Sequence, residues 1–110
     1  AIPVGTKVRL ALAVARAVAA AHTVPGPTIV LGDALKAGNL LVDGDTATIV
    51  DAASVSVLGF RSAAGRLVDS VHPLTTPGYV PPEVLAHPAA KPSHAADKFA
   101  LAVLLFELLF

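Results

Sequence analysis

The chain contains no cysteine, no methionine and no tryptophan. Without cysteine there are no disulfides and no thiolate metal ligands. Without methionine the chain lacks an initiator residue, which predicts a piece of a longer or processed protein. Charge of one sign is also missing. Eight Lys and Arg stand against eight Asp and Glu, so the formal net charge is zero. That balance argues against an extended basic face and hence against nucleic acid as a partner. Aromatic residues make up only 5% of a chain that is 55% hydrophobic. The core must therefore be built from small side chains, chiefly Ala and Val. At 110 residues the chain is one domain or part of one. A chain of that size can bury roughly 65% of its unfolded surface.

No hydrophobic run is long enough to span a bilayer. Residues 99–110 are apolar almost throughout, yet fall short of the ~18–20 residues a span requires, which predicts a buried helix. Residues 7–21 mimic a secretory leader, with Lys7 and Arg9 before an apolar stretch. Arg16 interrupts that stretch, and polar residues resume at His22.

Residues 6–22 contain neither Gly nor Pro and predict a helix with Leu10, Val14, Ala17 and Ala21 on one face. Pro25-Gly26-Pro27 ends it. Residues 28–31 form a short β-branched approach. Residues 40–42 and 46–50 predict two strands, joined by a tight hairpin at Asp43-Gly44-Asp45. Residues 52–76 predict a long connection of Ser, Gly, Ala and Val, the kind of loop that is usually functional or mobile. Prolines hold residues 76–82 extended or turned, and residues 87–93 form another Pro-containing loop. Asp97 is expected to open the last helix, as an N-cap or as a brace.

The chemistry concentrates between residues 31 and 51. L-G-D-A-L-K-A-G-N is followed by L-L-V-D-G-D-T-A-T-I-V-D. Together they supply Asp33, Lys36, Asn39 and Asp51. Phosphoryl transfer from a metal-bound nucleotide needs such a set: an acid for the attacking hydroxyl, a cation on the moving phosphate and oxygen ligands for Mg²⁺. Asp and Asn also favour ordinary turns and caps, so a purely structural role stays open. A lone Lys in a polar loop is commonly a solvated charge. His22, His72, His87 and His94 show no metal-ligand spacing. His22 is expected to pack at a helix end and the other three to lie in loops. Ser54, Ser56, Ser70, Thr75 and Thr76 are candidate phosphorylation sites.

In order and rough spacing these residues resemble the catalytic core of protein kinases, H-R-D-L-x-x-x-N followed by D-F-G. The likeness runs along the chain. Residues 6–22 are similar to the helix before the catalytic loop, 31–39 to that loop, and 40–51 to its β-hairpin and metal-binding Asp. Residues 52–83 are similar to an activation segment, and 97–110 to the central hydrophobic helix of the C-lobe. The run I-V-D-A-A-S-V-S-V is also similar to bacterial kinase-like proteins in which D-x-D-S replaces D-F-G.

The resemblance implies an α+β, mostly helical fold: a kinase C-lobe fragment with a small antiparallel β-hairpin, in one partial domain over residues 1–110. It implies Asp33 as catalytic base or orienter, Lys36 on the γ-phosphate, Asn39 and Asp51 on Mg²⁺, and Leu41 under the adenine of ATP. Thr76 would contact the catalytic Asp and favour Ser/Thr substrates. Glu83 would brace the substrate-binding loop. Asp97 would accept backbone N–H groups of the catalytic loop. The implied partners are a protein substrate or regulatory protein, an N-lobe preceding Ala1 and helices following Phe110. The implied location is the cytoplasm, or the cytoplasmic domain of a larger protein.

Four departures distinguish the chain from the family pattern. H-R-D is Leu31-Gly32-Asp33, which removes the Arg that reads activation-loop phosphate. Asp33 to Asn39 is one step longer than the motif. D-F-G is Asp51-Ala52-Ala53, and A-P-E is Pro81-Pro82-Glu83. The rival readings are a pseudokinase-type binding module without catalysis and an unrelated Ala-rich helical domain.

Overall fold

In a computed structural model, which describes residues 2–110, the first helix α1 runs from Val4 to His22. Its buried residues are Leu10, Ala11, Val14 and Val18, a stripe at helical spacing. Val18 takes the inward place expected for Ala17, which is exposed. The helix stops at Thr23, whose hydroxyl donates to the Ala19 carbonyl at 2.8 Å.

The chain then lays down β1 (Thr28–Val30), and two short 3-10 turns, Gly32–Ala34 and Ala37–Asn39, carry it into a hairpin. The hairpin pairs β2 (Leu40–Asp43) with β3 (Thr46–Ile49), Leu40 opposite Ile49 and Asp43 opposite Thr46. Gly44 sits at φ 58°, the left-handed conformation that a tight connection requires. Arg9 Nε of α1 meets Asp45 Oδ2 of this turn at 3.0 Å.

Residues 52–76 are not the structureless connection expected from their composition. They contain β4 (Ser56–Arg61) and β5 (Leu67–Ser70), which pair antiparallel. β4 also pairs with β1, Val30 opposite Ser56, giving a three-stranded sheet in the order β1-β4-β5. The register shifts between Val57 and Phe60, around Gly59 at φ 70°. That bulge breaks the alternation by which a strand is read from sequence.

The short helix α2 (Pro82–Ala86) follows, with proline at its first turn. The last helix α3 spans His94–Leu109. It starts three residues before Asp97. Its cap is Ser93, whose hydroxyl accepts the Ala96 N–H at 3.2 Å. Asp97 is not the N-cap but lies one turn inside, fully buried.

The described residues thus form an α+β fold of three helices and two small antiparallel sheets. Val14 and Val18 of α1, Leu35, Tyr79, and Ala100 and Leu104 of α3 form the core. α3 is not buried all round. Phe106 and Phe110 stay exposed, their rings 5.2 Å apart. No helix of the described residues is long and apolar enough to cross a membrane.

Candidate functional site

Asp97 organises the loop that carries Asp33. Its Oδ2 accepts the Leu31 N–H at 2.7 Å, and its Oδ1 accepts the Gly32 N–H at 2.9 Å. Oδ2 also receives His22 Nε2 at 2.7 Å. Helix α3, the end of α1 and the loop therefore converge on one buried carboxylate. The His22 ring stacks on His94, centroids 3.8 Å apart and planes 11° apart. His94 Nε2 donates to the Ile29 carbonyl at 2.9 Å, which ties β1 to the same cluster. His94 is thus a helix residue with two fixed neighbours, not a loop histidine.

Gly32 has φ +57°, and a Cβ there would lie 3.4 Å from the Ser54 carbonyl oxygen. A residue with a side chain is strained in that conformation. The backbone of this loop therefore favours Gly at the position where the kinase motif has Arg.

Asp33 is 6% exposed. Its Oδ1 accepts the Thr75 N–H at 2.9 Å and the Thr76 N–H at 3.1 Å, while its Oδ2 accepts the Thr75 hydroxyl at 2.6 Å. Burial pushes the carboxyl up. The hydrogen bonds from Thr75 and Thr76 outweigh it and hold the group below its usual value. The Thr75 hydroxyl bonds Asp33 at 2.6 Å, and Thr76, the threonine that the motif indicates, adds its backbone N–H at 3.1 Å and a side-chain contribution that also lowers the carboxyl.

Asn39 sits one residue before β2. Its Nδ2 donates to the Asp33 carbonyl at 3.2 Å, and its own carbonyl accepts the Val50 N–H at 2.8 Å. That bond extends the β2–β3 ladder by one step and brings Asn39 beside the residue preceding Asp51. Asp51 itself has φ 77°, a left-handed conformation uncommon outside Gly but tolerated by Asp. Its Oδ2 accepts the Ser54 hydroxyl at 2.5 Å. The Asn39 amide oxygen and Asp51 Oδ1 are hard oxygen donors at the open end of one hairpin. Among the described residues no three His, Asp or Glu side chains cluster as a metal site. A Mg²⁺ site needs no such cluster, because the ion keeps several waters and substrate oxygens. The donor chemistry at Asn39 and Asp51 fits that ion.

Three further expected residues, Lys36, Leu41 and Glu83, make no side-chain hydrogen bond to Asp33, Asn39 or Asp51. Lys36 is half-buried and forms no ion pair among the described residues. Leu41 is 61% exposed on β2. It stands outside a cavity of about 350 Å³ lined by Ala17, Leu31, Ala34, Thr48, Ile49 and Asp51. Glu83 is exposed in the first turn of α2 and has no basic partner among the described residues.

Tyr79 carries a structural role that the sequence reading did not assign. It is 8% exposed, its hydroxyl donates to Glu107 Oε1 of α3, and it accepts the Ala37 N–H at 3.2 Å. It thereby joins the segment after Thr76 to both the loop and the last helix. Burial, then the Glu107 hydrogen bond, raise its phenol above the ordinary value. A lone Tyr in a chain poor in aromatics was the available signal.

No family model, curated protein or solved structure matches the chain.

Proposed function

We propose that this chain forms the C-lobe part of a kinase-like unit that transfers a phosphoryl group from ATP to a Ser or Thr hydroxyl. One observation carries the reading. A fully buried Asp97 holds the Leu31 and Gly32 N–H groups, and the next residue, Asp33, receives a threonine hydroxyl at 2.6 Å. A carboxylate that accepts one hydroxyl in this geometry suits a second, incoming hydroxyl.

In that reaction Asp33 orients the acceptor hydroxyl and takes up its proton as the oxygen bonds to the γ-phosphorus. The bond from the γ-phosphorus to the bridging oxygen breaks, and ADP leaves. Asn39 and Asp51 would hold Mg²⁺, which supplies charge neutralisation on the phosphates when bound. The remaining work is positioning by the Asp97-braced loop.

A second reading keeps the fold but not the chemistry, as a nucleotide- or protein-binding module. It is favoured by the four Thr75 and Thr76 bonds that fill Asp33, and by Lys36, which forms no ion pair among the described residues. Radiolabelled transfer from Mg·ATP to Ser/Thr peptides, measured on the chain with its flanking sequence, separates the two. Transfer that falls about 100-fold or more in Asp33→Asn supports catalysis. ATP-dependent thermal stabilisation without transfer supports the binding module. Absence of both removes the kinase-like reading.

A further inference from the structure

Asp33 faces one more polar group than the kinase-like motif assigns. His72 Nε2 lies 3.5 Å from Oδ2, the same oxygen that accepts the Thr75 hydroxyl. A single carboxylate oxygen thus stands between a hydroxyl and an imidazole. The backbone of His72 is fixed. Ser56, only 1% exposed, accepts the His72 N–H at 2.8 Å and donates its hydroxyl to the His72 carbonyl at 3.3 Å. This clamp pins residue 72 to β4 and presents its ring to Asp33. The Asp33 side chain is 7% exposed and that of His72 41%, so water reaches the pair through the imidazole. Among the described residues no other carboxylate comes within ion-pair distance of the His72 ring. The remaining groups on Asp33 are the uncharged Thr75 and Thr76.

We infer that His72 is the protonatable partner of Asp33, a positioning residue that acts through the carboxylate. This rests on the phosphoryl-transfer reading for its chemical role, though the pairing itself does not. A neutral imidazole carrying its proton on Nδ1 turns the Nε2 lone pair toward Oδ2. The proton that an acceptor hydroxyl brings to Oδ2 passes to Nε2 as the oxygen–phosphorus bond forms and ADP departs. The imidazolium then pairs with the carboxylate and loses its Nε2 proton to water, which restores the Nδ1–H form. Histidine suits this exchange because one ring nitrogen can accept a proton while the other carries one. Catalytic hydrogen bonds are commonly long before substrate binds, which accommodates the 3.5 Å separation.

The pairing is tested by thermal unfolding of the wild type, His72→Gln, Asp33→Asn and the double variant at pH 5 and pH 8. His72→Gln should lower the midpoint at pH 5 by about 2–4 °C, and not in the Asp33→Asn background. At pH 8 the two substitutions should act independently. Ser56→Ala, which keeps both groups but frees the backbone of His72, should reduce the coupling at pH 5. Coupling that is absent, or equal at the two pH values, overturns the pairing. With a Ser/Thr peptide and Mg·ATP, His72→Gln should flatten the acidic limb of the kcat profile. An unchanged profile overturns the role of His72 as a positioning residue for the transfer. Coupling in a chain that transfers no phosphate defeats the kinase reading and leaves the pairing established.

Discussion

His22 and Asp97, 75 positions apart in sequence, meet at 2.7 Å with side chains 9% and 0% exposed. Two loop N–H groups share the same carboxylate. Removing one member of a buried pair leaves the others without a partner in a low-dielectric interior. Asp97→Ala should therefore destabilise the chain by roughly 3–5 kcal/mol. Asp97→Asn should cost less, because its amide oxygen still accepts one N–H. Urea unfolding of both variants checks the order. Equal stability of wild type and Asp97→Ala would show that the loop does not depend on this anchor.

Tyr79 ties three segments together through one hydroxyl. Tyr79→Phe leaves the Ala37 N–H without its partner and should cost about 1–3 kcal/mol. A double-mutant cycle with Glu107→Gln should return a coupling of about 1 kcal/mol, modest because Glu107 is exposed. Ultraviolet titration should place the phenol above its ordinary 10.0. Its stabilising contribution is present below that value and is lost as pH rises through the folded-state value.

The elements that were legible in sequence are those with clean periodicity. The stripe of Leu10 and Val14 and the Asp43-Gly44-Asp45 turn identify α1 and the β2–β3 hairpin directly. The β4–β5 hairpin was hidden because Gly59 makes a bulge and Ser, Ala and Gly carry little strand propensity. The start of α3 was misjudged because Ser93 and Asp97 are both acceptable caps, and only burial of Asp97 decides between them. At the site, Asp33 and Asp97 could be singled out by motif order. The contacts of His72 and Thr75 with Asp33 could not, since they depend on the β4–β5 hairpin, whose Ser56 holds the backbone of His72.

Gly32 offers a sharp backbone test. At φ +57° an L side chain costs about 1–2 kcal/mol, so Gly32→Ala should destabilise by that amount. Gly38 is the control. It has no positive φ, and an added Cβ would meet nothing within 4 Å. Gly38→Ala should be neutral or slightly stabilising, because it restricts the unfolded chain. Equal effects of the two substitutions, read by thermal unfolding, would refute the strained conformation at residue 32.

The hydrogen bonds on Asp33 should also appear as a pH dependence of stability. Its folded-state value lies below the ordinary 3.8, because Thr75 and Thr76 donate to the charged form more strongly than burial opposes it. A depressed carboxyl contributes stability that is fully present above the unfolded value and fades as pH falls through the folded one. Wild type should therefore lose stability as pH drops below about 4. Asp33→Asn should be less stable at pH 7 and should fall less steeply in that acid window. Thr75→Val, which removes the 2.6 Å hydroxyl bond but keeps the N–H, should lie between them. Urea midpoints at pH 7, 4 and 3 provide the measurement. Parallel acid curves for wild type and Asp33→Asn would show that the Thr75 and Thr76 bonds do not favour the ionised carboxylate, and with that the filled-site geometry would lose its energetic basis.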